Sequence, residues 1–267
     1  MQHIRPAAVA GMFYPENPQA LHQEVQAYLD DAKHWDLKPK ALIVPHAGYI
    51  YSGEIAAAAY ATLQSIAHKI SRVILLGPAH RVAVRGLALP SSNAFETPLG
   101  SVMIDAEAAQ IASRLPHVVI SEAAHAMEHS LEVQLPFLQS VLGKFKLLPV
   151  LVGNATPDEV ASLLECLWGG EETLIVISSD LSHYLPYQAA KTTDEKTVQS
   201  ILNFEQPISH ERACGGTPIS GLIVAARKHG LNPHLLDLRN SGDTAGSRDR
   251  VVGYASLAYT EDRHHVH

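Results

Sequence analysis

Three apolar runs in this sequence end on side chains that can bind metal ions or move protons. Ala41-Leu42-Ile43-Val44-Pro45 leads into His46, Val73 to Leu76 and then Gly77-Pro78-Ala79 lead into His80, and Leu174 to Ile177 and then Ser178-Ser179 lead into Asp180 and His183. One histidine at a strand end is most often an ordinary loop residue. Three such coincidences point to a shared site, because open α/β sheets bind ligands where the carboxyl ends of their strands deliver loops. Cys214 adds a sulfur, in Ala213-Cys214-Gly215-Gly216-Thr217-Pro218. The two glycines let backbone approach a ligand, and Thr217 and Pro218 predict the cap and first position of a helix whose N-terminus favours a thiolate. His46, His80 and Cys214 together make a three-ligand metal site with an open position. Imidazole suits iron, copper and zinc, while thiolate favours zinc or copper and also occurs on iron.

A fourth segment, His125-Ala126-Met127-Glu128-His129-Ser130-Leu131-Glu132, spaces two histidines one helical turn apart. The metalloprotease order HExxH is absent, so the segment reads as a helix start with glutamates near the positive end of the dipole. His129 is retained as a proton donor or acceptor over a nearby metal. Cys166, in a helix without polar company, reads as a small apolar filler.

Elements that could position these residues are legible in the pattern. Ala41 to Val44, Val73 to Leu76, Leu147 to Val152 and Thr173 to Ile177 read as buried strands. Val160, Leu163, Leu164, Leu167 and Trp168 form a helical stripe, with Thr156 as cap, Pro157 at the first position and Glu159 completing a capping box. Leu21, Val25, Tyr28, Leu29 and Ala32 form a second stripe after Asn17-Pro18, and a third runs from Leu222 to a stop at Gly230. Alternating strands and helices predict an α/β fold with a central, mostly parallel or mixed sheet and helices on both faces. The tail from His234 to Tyr259 is expected to add one or two strands, and residues 203 to 216 read as a functional loop. No repeat or long linker divides the chain, so residues 1–267 are read as a single domain.

Composition removes several function classes. With 46% hydrophobic and 18% charged residues among 267, the chain is neither disordered, collagen-like nor a coiled coil. Its net charge of −7, from 20 Lys+Arg against 27 Asp+Glu, and the lack of a basic tract argue against nucleic acid as a partner. No apolar run approaches the roughly 18 residues of a membrane span, and no secretion signal is read at the start. Two cysteines supply neither a disulfide framework nor a four-thiolate zinc site, and a reducing cytoplasm is the expected setting. Sixteen histidines would carry the charge from −7 to −7 + 16 = +9 if all were protonated. The net charge is therefore expected to depend strongly on pH below about 6.5.

Several segments together resemble the Memo family. They are Arg5-Pro6 through Ala10-Gly11-Met12-Phe13-Tyr14-Pro15, Val44-Pro45-His46-Ala47-Gly48-Tyr49-Ile50-Tyr51-Ser52-Gly53, Gly77-Pro78-Ala79-His80, Glu128-His129-Ser130-Leu131-Glu132, Ser178-Ser179-Asp180-Leu181-Ser182-His183, Cys214-Gly215-Gly216, Ser241-Gly242-Asp243 and Val251-Val252-Gly253-Tyr254. The resemblance spans nearly the whole chain in order, and in prokaryotes such chains look like component B of the three-part AmmeMemoRadiSam system. It implies a fold like the class III extradiol dioxygenases of the LigB type, and a redox metal, Fe(II) or copper, on His46, His80 and Cys214. Asp180, His183 and His129 match family positions lining the same pocket. Class III extradiol dioxygenases use two histidines and a carboxylate. Cys214 in place of the carboxylate means that ring cleavage does not follow from the likeness of fold.

Three functions remain open at this point. A metal-dependent, dioxygenase-like oxidoreductase would use His183 or His129 to move protons and Asp180 to orient a neighbouring histidine. A non-catalytic module would hold a peptide or partner protein in the same pocket, with Tyr49 and Tyr51 lining it, and the other components of the three-part system are candidate partners alongside a small-molecule ligand. Hydrolysis by a Cys214 nucleophile with His183 and Asp180 is the third, and it leaves His46 and His80 without a role.

Overall fold

The central strands of this protein are apolar on both faces, and the fold shows what each face packs against. The computed structural model describes residues 3–261. The first half of the chain runs β1 (Ile4–Arg5), α1 (Pro18–Asp31), β2 (Pro39–Val44), α2 (Tyr49–Tyr60), β3 (Arg72–Pro78), β4 (Leu87–Leu89), β5 (Ala94–Thr97), β6 (Gly100–Met103), α3 (Ala106–Ala112), β7 (Val118–Ile120) and α4 (Glu122–Ala126). The second half runs α5 (Leu135–Leu142), β8 (Lys146–Val152), α6 (Pro157–Cys166), β9 (Thr173–Ser178), β10 (His183–Leu185), α7 (Tyr187–Leu202), α8 (Gly216–Lys228), β11 (Leu231–Asn240) and β12 (Val251–Glu261).

Nine strands form one sheet in the order β10-β12-β2-β9-β3-β8-β4-β7, with β11 also paired to β12. Its centre, β2-β9-β3-β8, is parallel, while β12 runs antiparallel to β2 and β4 antiparallel to β8, so the sheet is mixed. The expected tail strands are β11 and β12, paired antiparallel along most of their length. β1, β5 and β6 make a separate three-stranded sheet.

Alternate residues of the central strands feed two cores. Leu42, Val44, Val73, Leu75, Leu174 and Val176 pack with Leu21, Val25 and Leu29 of α1, Ala56, Ala57 and Tyr60 of α2, and Leu135 and Leu138 of α5. Ala41, Ile43, Ile74, Leu76, Ile175 and Ile177 point the other way, onto α3, α6, α7 and α8 through residues such as Ala108, Leu163, Val198 and Leu222. Helices thus cover both faces, and the period of two along each strand assigns the residues.

Side-chain caps mark the starts of α1, α3, α4 and α6. Asn17 caps α1 through Ala20 N, and Thr156 and Glu159 form the capping box of α6. Three details differ from expectation. The helix after Cys214 begins at Gly216, capped by the backbone of Gly215; Thr217 makes no cap and its hydroxyl lies 3.3 Å from His210 Nε2. A Cβ on Gly215 would come within 2.6 Å of Ser179 Cβ, so close approach to strand β9, not side-chain capping, sets this start. Cys166 closes α6 exposed to solvent, so it fills no core space. His125 lies in α4, but the helix ends at Ala126 and His129 follows in a loop, so the two histidines do not share a helical face. Among the described residues no helix is long and apolar enough to cross a membrane.

Candidate metal centre

Strand order brings the sequence candidates together. β9 lies between β2 and β3, so the residues following these three strands emerge side by side at neighbouring spacings of about 4.8 Å. His46 follows β2, Asp180 follows β9 and His80 follows β3. The loop carrying Glu128, His129 and Ser130 crosses the end of β3, where Ser130 Oγ donates to Pro78 O at 2.9 Å. Gly77 permits this crossing, because a Cβ there would press within 2.8 Å of Leu131.

His46, His80 and His129 present ring nitrogens that all lie within 4.8 Å of one another, a group able to hold a metal ion. The rings of His80 and His129 stack at 4.9 Å, and His46 stands nearly perpendicular to His129 at 5.5 Å. Hydrogen bonds fix which nitrogens are bare. Ser178 Oγ donates its single proton to Ser130 O at 2.6 Å and lies 2.9 Å from His46 Nδ1, which must therefore donate to it, leaving the Nε2 lone pair free. His80 Nδ1 lies 2.9 Å from Glu128 Oε1, a carboxylate that only accepts, so His80 Nε2 is also a free lone pair. His129 Nδ1 is buried with no hydrogen-bond partner. Two oriented imidazoles and one orphaned nitrogen in a common space are what a cation would satisfy, and the donor set fits a metal.

Electrostatics favours the ligand form of each group. Burial lowers His46 to about 3 and His129 to about 4, so both are neutral at physiological pH. Burial opposes ionisation of Glu128, yet hydrogen bonds from His80 and the backbone amides, with the charge of His80, hold it down to about 2. Glu128 is the principal site residue that the helix-start reading missed. It is 2% exposed, and its carboxylate also accepts from the backbone N–H groups of His80, His129 and Ser130. A Glu beside one histidine of a cluster, in a segment with no settled period, was the available signal.

Cys214 and Asp180 both approach the same nitrogen, His46 Nε2. Cys214 Sγ lies 3.3 Å from His46 Nε2 and accepts from Asp180 N at 3.3 Å, so it touches one of the three clustered histidines without joining the group of mutually close donors. Burial and the Asp180 carboxyl push its thiol up to about 12, so without a cation it is a neutral thiol and the helix N-terminus does not outweigh desolvation. Asp180 Oδ1 accepts from His46 N at 2.7 Å and Oδ2 lies 4.0 Å from His46 Nε2; burial raises its carboxyl. His183 is half-buried at the start of β10, near enough for its charge to act on both His46 and Asp180. His125 is placed elsewhere, donating from Nε2 to Ala88 O at 2.9 Å.

The two tyrosines separate. Tyr49 is turned into the core and donates to Val133 O at 2.6 Å, so it supports the wall and does not line the mouth, whereas Tyr51 is 39% exposed on the first turn of α2. Phe13 packs its ring 4.7 Å from His129. A cavity of about 1160 Å³ opens at the opposite end of the sheet, at the first residues of β2 and β9, with Lys38, Lys69, Glu171 and His234 in its wall. Size alone therefore does not locate the chemistry.

Comparisons with known proteins bear on the family and the fold. The sequence profile described as Memo-like protein matches residues 5–258. A MEMO1 family protein from Aquifex aeolicus is 38% identical, covering 96% of this chain and 99% of its own length. Another from Sulfolobus acidocaldarius is 35% identical over the same shares. The crystal structure of an uncharacterised protein from Escherichia coli K12 shares the fold with a TM-score of 0.51 at 12% identity, covering 80% of this chain and 98% of that one.

Proposed function

The chain belongs to the Memo-like family, and from that premise we propose that His46 and His80 are the fixed ligands of a redox metal ion, Fe(II) or copper, with Cys214 and His129 offering the third donor. The observation that carries this reading is the pair of imidazoles whose Nδ1 protons are already committed to Ser178 and Glu128, so that each keeps an unprotonated Nε2, that of His46 facing the Cys214 thiol at 3.3 Å, in a cluster of mutually close donors. A bound ion would supply redox chemistry and an open coordination position.

The chain's own residues do the rest. Glu128 fixes the tautomer of His80 and places a negative charge behind the cation, raising ligand basicity. Ser178 does the same for His46 without a charge. Asp180, whose ionisation burial opposes and whose Oδ2 lies 4.0 Å from His46 Nε2, would take up or release a proton inside the site, and half-buried His183 would pass it to solvent. The substrate is a small molecule or peptide entering past Tyr51, and other components of a three-part AmmeMemoRadiSam system are proposed partners. Free Cys166 and Cys214 fit a reducing cytoplasm. Hydrolysis by Cys214 is disfavoured by its neutral thiol.

Elemental analysis of anaerobically purified, untagged protein tests the assignment. Near-stoichiometric iron or copper in the native chain, lost in His46→Ala and reduced in Cys214→Ser or His129→Ala, is expected; unchanged stoichiometry in His46→Ala sinks it. The second reading, a non-catalytic peptide- or partner-binding module, is favoured by exposed Ile50 and Tyr51 beside the site. Tight partner binding by metal-free Cys214→Ser protein would select it.

A further inference from the structure

Tyr184 occupies a conformation that a residue with a Cβ rarely adopts. Its φ is +59°, in the left-handed region, and the residue is 61% exposed although it is a large aromatic. The cause is a bulge. β10 pairs with β12 at His183–Val252 and at Leu185–Val251, so Tyr184 is the extra residue and its side chain is re-aimed outward. Backbone strain of this kind collects at functional sites, and this one immediately follows His183, whose ring meets Tyr184 edge-on at 5.8 Å.

A cation accompanies the ring. Arg250 Cζ stands 5.6 Å from its centroid, and Arg250 Nε donates to Tyr184 O at 3.4 Å. Among the described residues no carboxylate pairs with Arg250, in a protein whose net charge is −7.

We propose that Tyr184 and Arg250 form a recognition shelf for a small planar carboxylic acid, its unsaturated or aromatic body stacked on the tyrosine and its carboxylate on the guanidinium. A single planar fork matches a carboxylate in two parallel hydrogen bonds, and the exposed aromatic face selects a flat body over a compact one. The shelf deepens the metal-site reading by naming the substrate class, and rests on it only for what happens to the ligand after capture.

Benzoate is the probe, titrated calorimetrically into the full chain with and without loaded metal, beside benzamide and acetate. Benzoate is expected to bind at least tenfold more tightly than either. Arg250→Gln should erase its advantage over benzamide, and Tyr184→Gly, which keeps the backbone conformation and loses the ring, its advantage over acetate. Arg81→Gln, beside His80, should leave both preferences intact, and metal content should be unchanged in all variants. Equal affinity for benzoate and benzamide, no benzoate binding, or an unaltered preference in Arg250→Gln overturns the shelf. If wild-type protein takes up no metal and the preferences persist, the metal reading falls and the shelf stands.

Discussion

A histidine binds a cation through whichever nitrogen its other neighbour leaves bare, so the residues behind His46 and His80 matter as much as the rings. Glu128→Gln would replace an acceptor-only carboxylate with an amide whose NH₂ faces the donors of His80, His129 and Ser130. Metal affinity measured by chelator competition is expected to fall about 10–100-fold with the fold retained; an unchanged affinity would mean that His80 does not bind through Nε2. Thiol reactivity supplies a second test. Exposed Cys166 should be alkylated well before Cys214 in metal-free protein followed by mass spectrometry, because burial pushes the Cys214 thiol up to about 12. Faster labelling of Cys214 would restore the nucleophile reading. His46, His80, Asp180, His183 and Cys214 were legible because each follows a recognisable run or a pair of glycines. Glu128 was not, since its role depends on donors 48 residues away at His80.

Elements hold these residues through contacts that local sequence does not announce. Asp194 of α7 anchors the corner carrying Asp180 and His183 by accepting from Ser182 N at 3.0 Å, while its Oδ2 is buried without a hydrogen-bond partner against Gly253 of β12. Burial raises its carboxyl to about 6. The folded state therefore binds more protons than the unfolded state between about pH 4 and 6, and stability from this group falls as pH rises through that window. Asp194→Asn should flatten that part of the Tm–pH curve and, above pH 6, gain up to about 3 kcal/mol; an unchanged slope would rule the group out as its cause. Gly253→Ala puts a methyl onto the same carboxylate and should destabilise by about 1–3 kcal/mol in chemical denaturation. The strands and capped helices could be read from period and caps alone. The helix start at Gly216 and the loop at His129 could not, because tertiary approach to Ser179 and Pro78 decides them.

Across the whole molecule, one buried carboxylate ties the N-terminal segment to the site. Glu132 accepts from Arg5 Nη1 at 2.7 Å, from Ala8 N and Val9 N, and from Tyr14 OH at 2.6 Å, which holds Phe13 against His129. Glu132→Ala leaves the Arg5 guanidinium buried without its charge partner and should cost about 3–5 kcal/mol in urea unfolding. A loss below about 1 kcal/mol would show the segment to be held by packing alone.

The place of β12 in the sheet bears on how the protein is made. It lies inside the sheet, between β2 and the β10 and β11 strands, and Gly253 exchanges backbone hydrogen bonds with Leu181 and Ser182. During synthesis on a ribosome, β2 must wait for most of the chain before this neighbour emerges, and the Asp180–His183 corner stays unlatched until then. Such long-range pairing is slow to form. The parallel centre that carries His46 and His80 can therefore pair well before β12 arrives to latch the Asp180–His183 corner.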